Sequence, residues 1–193
     1  MNICVFCASS ETIDKSYLQT GERFGEMLAE KGHTLVFGAG RYGIMGATAR
    51  GIRSKGGKAI GVIPKFFEDG DVDVKFTDCE LIYTETMHKR KFIMEDISDA
   101  FIIMPGGIGT FEEFFEVLTL KQLRRHAKPI VIFNENGYYD PLLNLMNSAI
   151  SKNFMSKKCQ DLYYVTDSAE TVFEYLDNYK PYSYDKYEVP EEE

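Results

Sequence analysis

The sequence predicts a single α/β domain built on a doubly wound parallel sheet flanked by helices. Short apolar segments alternate with longer amphipathic segments along most of the chain, which is the pattern of parallel strands covered by helices. Two of the apolar segments run directly into glycine-rich turns that open helices. The length of 193 residues and the hydrophobic content of 44 % suit one packed domain.

The first half of the chain contains four predicted strands and three predicted helices. Apolar runs predict strands at 3–7, 34–37, 59–63 and 80–83, and apolar residues at helical spacing predict helices at about 14–31, from the turn at 38–46 to about residue 53, and at about 86–97. Gly32 is expected to end the first helix and Pro64 the third strand. Residues 65–78 lack periodicity, so we expect a surface loop beside the site.

The second half continues the same alternation. Strands are predicted at 100–104, 129–133 and 162–165, and helices after the turn at 105–110, at 138–152 and at 170–176. The helix after that turn carries more apolar residues than one helical face can hold, namely Phe111, Phe114, Phe115, Val117, Leu118, Leu120 and Leu123. One face is expected to pack on the sheet and the other on a second copy of the chain, which predicts a homodimer.

The end of the chain differs in composition from the rest. Residues 179–193 hold two lysines and five acidic residues, with two prolines and four tyrosines. We therefore predict a domain at 1–178 followed by a loosely ordered acidic tail at 179–193. A strap across a partner subunit is the alternative for this tail.

The charge balance excludes several classes of partner. The formal net charge is −8, so polyanions such as nucleic acids and anionic membranes are repelled on average, whereas a single nucleotide is not. No apolar run reaches the roughly 18 to 20 residues that cross a bilayer. The amino terminus reads as a first strand rather than a signal peptide. We expect a cytoplasmic protein that acts on a small molecule.

The cysteines and histidines give no sign of a metal site. Cys4 and Cys7 form a C-x-x-C inside a strand pattern, and a second ligand pair that would complete a zinc site is missing. The four cysteines are expected to be reduced thiols and mainly core residues. None of the three histidines has a partner at metal-ligand spacing.

The first glycine turn matches the pattern G-x-G-x-x-G. Gly38, Gly40 and Gly43 lie between a predicted strand and a predicted helix, as in a dinucleotide site. The turn follows the second strand rather than the first, and the next strand ends without the carboxylate that would bind a ribose, which argues against NAD. Two interpretations are favoured over an NAD site: purely structural glycines, or glycines that line a nucleotide pocket together with Met45.

The second glycine turn predicts an anion site. Gly106, Gly107 and Gly109 interrupt the passage from a buried strand to a helix, where free backbone amides and the helix dipole favour a phosphate. The hydroxyl of Thr110 can cap this helix or donate to phosphate oxygens. Two acids, Glu112 and Glu113, follow within the first turn. Stabilisation of the helix is the alternative, but their place at the mouth of a switch-point crevice predicts site carboxylates.

A basic segment precedes the same strand. Lys89, Arg90 and Lys91 lie in the first turns of a predicted helix, where cations are unfavourable, so we expect a functional counter-charge. Parallel topology puts the start of this helix at the same sheet edge as the glycine turns. Arg90 can then meet both a phosphate and a carboxylate. The alternative is a solvated basic face.

Together these motifs resemble the LOG family, the cytokinin riboside 5′-monophosphate phosphoribohydrolases. The stretch 105–113 is similar to the family motif P-G-G-x-G-T-x-x-E. Further similarities are M-H-K-R-K at 87–91, G-I-M-G at 43–46 and N-G-Y-Y at 136–139, and the resemblance covers about residues 2–178. Some relatives carry the label lysine decarboxylase, for which the chain offers no independent sign of a pyridoxal phosphate lysine.

The resemblance implies a fold, a reaction and a set of residues. It implies a Rossmann-like dimer that hydrolyses the N-glycosidic bond of a purine nucleoside 5′-monophosphate without metal or NAD. Arg90 and Glu113 fall on the two catalytic positions, and the substrate contacts fall on Lys91, Gly107, Ile108, Gly109, Thr110, Phe111, Glu112 and Thr119. Phe66 stands where an acidic contact of the family is expected, so the base is left as AMP-type or N6-substituted.

From the residues alone, we keep two further functions open. A nucleotide or cofactor carrier would use the same phosphate cradle without turnover, and an NAD-linked oxidoreductase would use the first glycine turn. A carrier has no need for a carboxylate beside its phosphate. The pairing of Arg90 with Glu113 therefore favours the hydrolase.

Overall fold

The computed structural model describes residues 1–68 and 74–182. Within them, seven parallel strands form one sheet, and six α-helices and three short 3-10 helices connect the strands. The strands are β1 Asn2–Phe6, β2 Thr34–Phe37, β3 Lys58–Pro64, β4 Glu80–Thr84, β5 Ala100–Ile103, β6 Ile130–Phe133 and β7 Tyr164–Thr166. The helices are α1 Lys15–Glu30, α2 Gly43–Ser54, α3 Met87–Ile97, α4 Ile108–Gln122, α5 Asp140–Ser151 and α6 Ala169–Asp177. The 3-10 helices are Lys65–Glu68, Glu135–Gly137 and Lys157–Leu162.

The sheet is doubly wound, as the sequence predicts. Its strand order is β4-β3-β2-β1-β5-β6-β7, so the chain runs outward from β1 to β4 and then returns to the other side of β1. Ile3 of β1 is paired with Leu35 on one side and with Ala100 on the other. The strand order therefore reverses between β1 and β5, and the carboxyl edge at such a reversal forms the binding crevice of open α/β sheets.

The two faces of the sheet carry separate cores because side chains alternate along each strand. Ile3 and Val5 belong to a core that includes residues of α1, α2 and α6, whereas Cys4 and Phe6 belong to one that includes residues of α3, α4 and α5. In the first core, Phe24 stacks on Phe173 with ring centroids 5.3 Å apart. The helices shield both faces of the central strands, which explains their nearly continuous apolar sequences.

The element ends agree with simple capping chemistry. The Asp14 carboxylate accepts a hydrogen bond from the Ser16 amide and starts α1, and Gly32 follows that helix with a φ of 71°. Thr86 caps α3 in the same way through the Lys89 amide. The observed bounds differ from the predicted ones by about two residues, and the three 3-10 helices were not predicted because such short turns have no periodicity.

The structure also bears on the predictions for the cysteines, the surface loop and the C-terminal tail. None of the four cysteines, all of which lie in the described part of the chain, forms a disulfide, and Cys4 and Cys7 are buried. Of the predicted surface loop at 65–78, residues 65–68 form a 3-10 turn and residues 69–73 lie outside the described structure. Of the predicted tail, residues 183–193 lie outside it, whereas Tyr182 packs on the α4 side of the sheet. In the described residues, every helix is too short or too polar to cross a membrane.

Candidate active site

A cavity of about 540 Å³ opens at the carboxyl edge of the sheet, where the strand order reverses. That volume lies within the range of small-molecule sites. The loops after β1, β2, β3 and β5 and the first turns of α3 and α4 supply its walls. The described lining residues are Cys7, Ala8, Ser9, Ser10, Gly38, Gly40, Arg41, Tyr42, Met45, Ile63, Phe67, Val74, Met87, Arg90, Gly107, Ile108, Gly109, Thr110 and Glu113.

A buried ion pair forms part of the cavity wall. Arg90 Nη1 lies 3.1 Å from Glu113 Oε1, and Arg90 Nε donates to the Val62 carbonyl at 3.0 Å. Arg90 is 6 % exposed and Glu113 9 % exposed. The pair joins α3 to α4 beside the cavity. The predicted contact between Arg90 and a carboxylate is present, whereas its predicted contact with a phosphate stays a prediction.

The first glycine turn makes room for this arginine. A Cβ atom at Gly38 would lie 1.9 Å from Arg90 Nη2, so only glycine leaves space for the guanidinium at this position. Gly40 donates its amide to the sulfur of Met45 at 3.2 Å. Gly43 has a φ of 61°, and a Cβ atom there would lie 2.5 Å from the Ala8 carbonyl. The turn thus serves the ion pair as well as the close packing of the chain.

The electrostatics of Glu113 result from two opposing effects. Burial raises the pKa of its carboxyl above the ordinary value, because the charged form loses solvation. The neighbouring Arg90 guanidinium opposes this shift by favouring the carboxylate, and Glu112 adds to the shift by repulsion. The carboxyl group is therefore poised to gain or lose a proton at a higher pH than an exposed glutamate.

The second glycine turn presents backbone to open space. Gly107 is the N-cap of α4, and Cβ atoms added at Gly107 or Gly109 would meet no protein atom within 4 Å. Gly106 is different, because a Cβ atom there would lie 2.1 Å from Thr110 Oγ1. Thr110 is buried at the cavity wall. A helix N-terminus with free amides and a clear approach fits an anionic group.

The structure gathers nine of the residues singled out by sequence into this cavity. They are Arg90, Glu113, Gly38, Gly40, Met45, Gly107, Ile108, Gly109 and Thr110. Six others are not among its described lining residues: Lys91, Gly106, Phe111, Glu112, Thr119 and Gly43. Gly43 and Gly106 shape the turns from behind, and Thr119 is exposed on α4.

Lys91 faces away from the cavity toward α4. Its ammonium group forms an ion pair with Glu112 and lies 2.5 Å from Glu116 Oε2. Lys91 is buried, whereas the Glu112 side chain is half exposed. This cluster forms a second electrostatic link between α3 and α4, next to the Arg90–Glu113 pair. Arg90 and Lys91 of α3 thus form ion pairs with Glu113 and Glu112 of α4.

Sequence reasoning missed several lining residues. The segment 8–10 after β1 and the apolar side chains Ile63 and Phe67 belong to no motif, and Met87 opens the M-H-K-R-K stretch but was not singled out as a site residue. The signal that finds the segment after β1 is topological, because the strand order reverses between β1 and β5. The apolar residues can be assigned only once the loops are folded.

The fold and this cavity define a Rossmann-like α/β protein with a cavity at the switch point of its sheet. A family model described as "Possible lysine decarboxylase" matches residues 45–176. A probable cytokinin riboside 5′-monophosphate phosphoribohydrolase of rice is 37 % identical over 95 % of this chain and 74 % of its own length. An Arabidopsis thaliana cytokinin riboside 5′-monophosphate phosphoribohydrolase is 35 % identical over 93 % of this chain and 84 % of its own length. The chain belongs to the LOG family, as the sequence motifs indicate.

Solved structures share the fold at lower identity. The molybdenum cofactor binding protein of Rippkaea orientalis superposes with a TM-score of 0.66 at 22 % identity, covering 91 % of this chain and 94 % of that one. The molybdenum cofactor carrier protein of Chlamydomonas reinhardtii gives a TM-score of 0.65 at 19 % identity, covering 91 % and 95 %. These similarities concern the Rossmann-like architecture.

Proposed function

We propose that this protein hydrolyses the N-glycosidic bond of a purine nucleoside 5′-monophosphate, AMP or an N6-substituted AMP, to the free base and ribose 5-phosphate. The observation that carries this proposal is the buried Arg90–Glu113 pair in the wall of a cavity that also contains an open helix N-terminus. In such a cavity the helix N-terminus would bind the phosphate, and the Glu113 carboxylate would lie next to the sugar. The relatives named as phosphoribohydrolases support the same reaction class.

The role of Glu113 follows from the charge that the reaction creates. Cleavage of the bond between the ribose C1′ and a purine nitrogen builds positive charge on the sugar, as in glycoside hydrolysis. A fixed carboxylate in a site of low polarity stabilises that charge far better than water does. Glu113 then either activates a water molecule or attacks C1′. Arg90 keeps the carboxylate oriented through its hydrogen bond of 3.1 Å.

The phosphate is assigned to the second glycine turn. The amides of Gly107, Ile108 and Gly109 lie at the start of α4, where the helix dipole adds about half a positive charge. Their approach is open, and Thr110 lines the same wall. The 5′-phosphate bound here would direct the ribose toward Glu113. The base would then contact the apolar part of the cavity, which includes Ile63, Phe67 and Met87.

The label lysine decarboxylase is not extended to this chain. The described residues that line the cavity include no lysine, which a pyridoxal phosphate enzyme would need for its Schiff base. The most buried lysine, Lys121, donates to the Leu162 carbonyl at 2.7 Å. It lies at the opposite end of α4 from the cavity.

The first experiment is a substrate panel with a matched pair of variants. Purified protein is incubated with nucleoside 5′-monophosphates, including AMP and N6-isopentenyl AMP, and free base is measured by chromatography. Glu113→Gln is expected to lower kcat about 10²- to 10³-fold, because one preorganised electrostatic group is lost. Glu112→Gln is the control, since this neighbouring acid faces Lys91 outside the cavity.

Calorimetry with AMP separates the hydrolase from a carrier. A hydrolase and a carrier would both bind AMP, whereas only a hydrolase would release adenine and ribose 5-phosphate. Binding without product from any nucleotide in the panel would overturn the hydrolase in favour of the carrier. Full turnover by Glu113→Gln would overturn the assignment of the carboxylate.

A further inference from the structure

Two adjacent tyrosines brace the turn between β5 and α4 from behind. The Tyr138 hydroxyl donates to the Gly106 carbonyl at 2.7 Å, and the Tyr139 hydroxyl donates to the Met104 carbonyl at 2.7 Å. Both carbonyls belong to the segment whose amides form the proposed phosphate subsite. The cleavage chemistry of Arg90 and Glu113 gives these tyrosines no role.

The backbone of residues 134–137, just before the tyrosines, directs their side chains toward this turn. Asn136 and Gly137 are consecutive residues with left-handed backbone, with φ values of 52° and 71°. The Asn134 side chain accepts a hydrogen bond from the Tyr139 amide at 2.6 Å and donates one to Asp140 Oδ1 at 2.8 Å. Glycine and asparagine are the residues that adopt left-handed backbone most readily, so this sequence suits the turn that leads into the tyrosines.

Ring contacts fix both tyrosine side chains. The two rings meet edge to face with centroids 5.0 Å apart, and Tyr17 of α1 packs edge to face on Tyr138 at 6.2 Å. Phe111 of α4 packs in the same manner on Tyr139 at 6.3 Å. Burial strongly raises the pKa of Tyr139, so its hydroxyl stays protonated and remains a donor.

The bond to Gly106 has a direct consequence for the next amide. The carbonyl of Gly106 and the N–H of Gly107 belong to one planar trans peptide, in which they point in opposite directions. Because Tyr138 holds the carbonyl on one side, the Gly107 N–H is directed to the other. Gly107 lines the cavity and has open space beside it.

We propose that Tyr138 is a positioning residue that aims the Gly107 amide at the substrate phosphate, and that Tyr139 fixes the start of the same turn. The inference rests on the proposed function and extends it to residues outside the cavity wall. Neither hydroxyl touches the reacting atoms. Their effect is transmitted by the peptide planes of the turn.

Tyr138→Phe tests the proposal because it removes the hydroxyl and keeps the ring. Loss of one neutral hydrogen bond is expected to weaken binding of ribose 5-phosphate roughly 3- to 10-fold and to raise KM for AMP by a similar factor. We expect kcat to stay within about two-fold, and calorimetry with adenine, which carries no phosphate, to give an unchanged Kd. Tyr179→Phe is the matched control, since it also deletes a hydroxyl that donates to a backbone carbonyl, that of Ala127 at 2.8 Å.

The outcomes separate positioning from general structural support. An unchanged affinity for ribose 5-phosphate in Tyr138→Phe would overturn the proposal, and so would an equal loss of affinity for ribose 5-phosphate and adenine. Tyr139→Phe gives a second reading, in which a selective loss of ribose 5-phosphate binding is again expected. If the wild-type protein binds AMP without cleaving it, the hydrolase fails, while the effect of Tyr138→Phe on phosphate binding still decides the positioning role.

Discussion

At the scale of single residues, Glu113 depends on two neighbours of opposite charge. Arg90 contacts its carboxylate directly, whereas Glu112 repels it from the adjacent helix position. Because the site is buried, both influences are felt more strongly than they would be in water. The pKa of Glu113 should therefore rise when Arg90 is replaced by a neutral residue and fall when Glu112 is replaced by one.

The first prediction concerns the acid limb of the pH profile. The proposed mechanism needs ionised Glu113, so kcat/KM falls as pH drops through the pKa of this group. Burial raises that pKa, which puts the limb above the ordinary glutamate value of about 4.3. Arg90→Met removes a charge that lowers the pKa and should move the limb of the residual activity to higher pH. Glu112→Gln removes a charge that raises it and should move the limb to lower pH.

Rate profiles of AMP cleavage between pH 4 and 8 check both signs. An acid limb that stays fixed in both variants would assign the titration to a group other than Glu113. A limb that disappears in Glu113→Gln, with the residual activity flat on the acid side, would agree with the assignment.

Residue chemistry in the sequence identified Arg90 and Glu113 but not the purpose of Gly38. Cations at a helix start contradict local preference, and such a conflict indicates function. Gly38 matched a dinucleotide pattern instead. Its contact with Arg90 spans 52 positions of sequence, so only the folded chain reveals it.

At the scale of elements, the glycines of α4 and α1 predict opposite effects of the same substitution. Gly109→Ala adds a methyl group facing the cavity with no protein atom within 4 Å, inside a helix where alanine is favoured by up to about 1 kcal/mol. The free energy of unfolding should stay equal or rise, while KM for AMP should rise at least about 10-fold because the methyl group occupies the phosphate approach.

Gly25→Ala is the contrasting variant. Its Cβ atom would lie 2.1 Å from the Thr48 carbonyl, where α1 packs on α2, so the fold should lose about 1–3 kcal/mol while the cavity stays intact. Urea unfolding and KM for AMP measured on both variants check the pair. A wild-type KM in Gly109→Ala would contradict the phosphate subsite at this turn.

Element prediction succeeded where periodicity is strong. All seven strands and all six α-helices that the structure describes were predicted from the alternation of apolar and amphipathic segments, because each helix must bury one face against the sheet. The turn at Glu135–Gly137 was not recognised. Its conformation depends on side-chain bonds of Asn134 and on left-handed backbone at Asn136, which leave no periodic trace.

At the scale of the whole molecule, the order of strands and helices predicts the location of the cavity without any motif. Strands that alternate with helices along most of the chain favour a parallel sheet, and right-handed crossovers limit its strand orders. The crevice between β1 and β5 follows from that order. The apolar wall formed by Phe67 and Met87 does not, because it depends on where the 3-10 helix Lys65–Glu68 and the start of α3 are placed.

The last prediction is that two copies of the chain associate through the outer face of α4. Its inner face buries Phe114, Val117 and Leu118 against the sheet, while Phe115 remains 38 % exposed and Leu123 at the helix end 40 % exposed. Phe115 and Leu123 are eight positions apart, so they lie near one side of the helix. An apolar strip of this kind is typical of a subunit contact.

Sedimentation equilibrium at micromolar concentration should therefore give about twice the 22.0 kDa of one chain. Phe115→Glu buries a charge in the contact and should shift the mass to that of one chain, since an unpaired buried carboxylate is strongly unfavourable. Phe154→Glu is the control, because this phenylalanine is 83 % exposed beyond the end of α5 and should leave the mass unchanged. A wild-type protein that sediments as a single chain would refute the contact, and a dimer that persists in Phe115→Glu would move it to another face of the molecule.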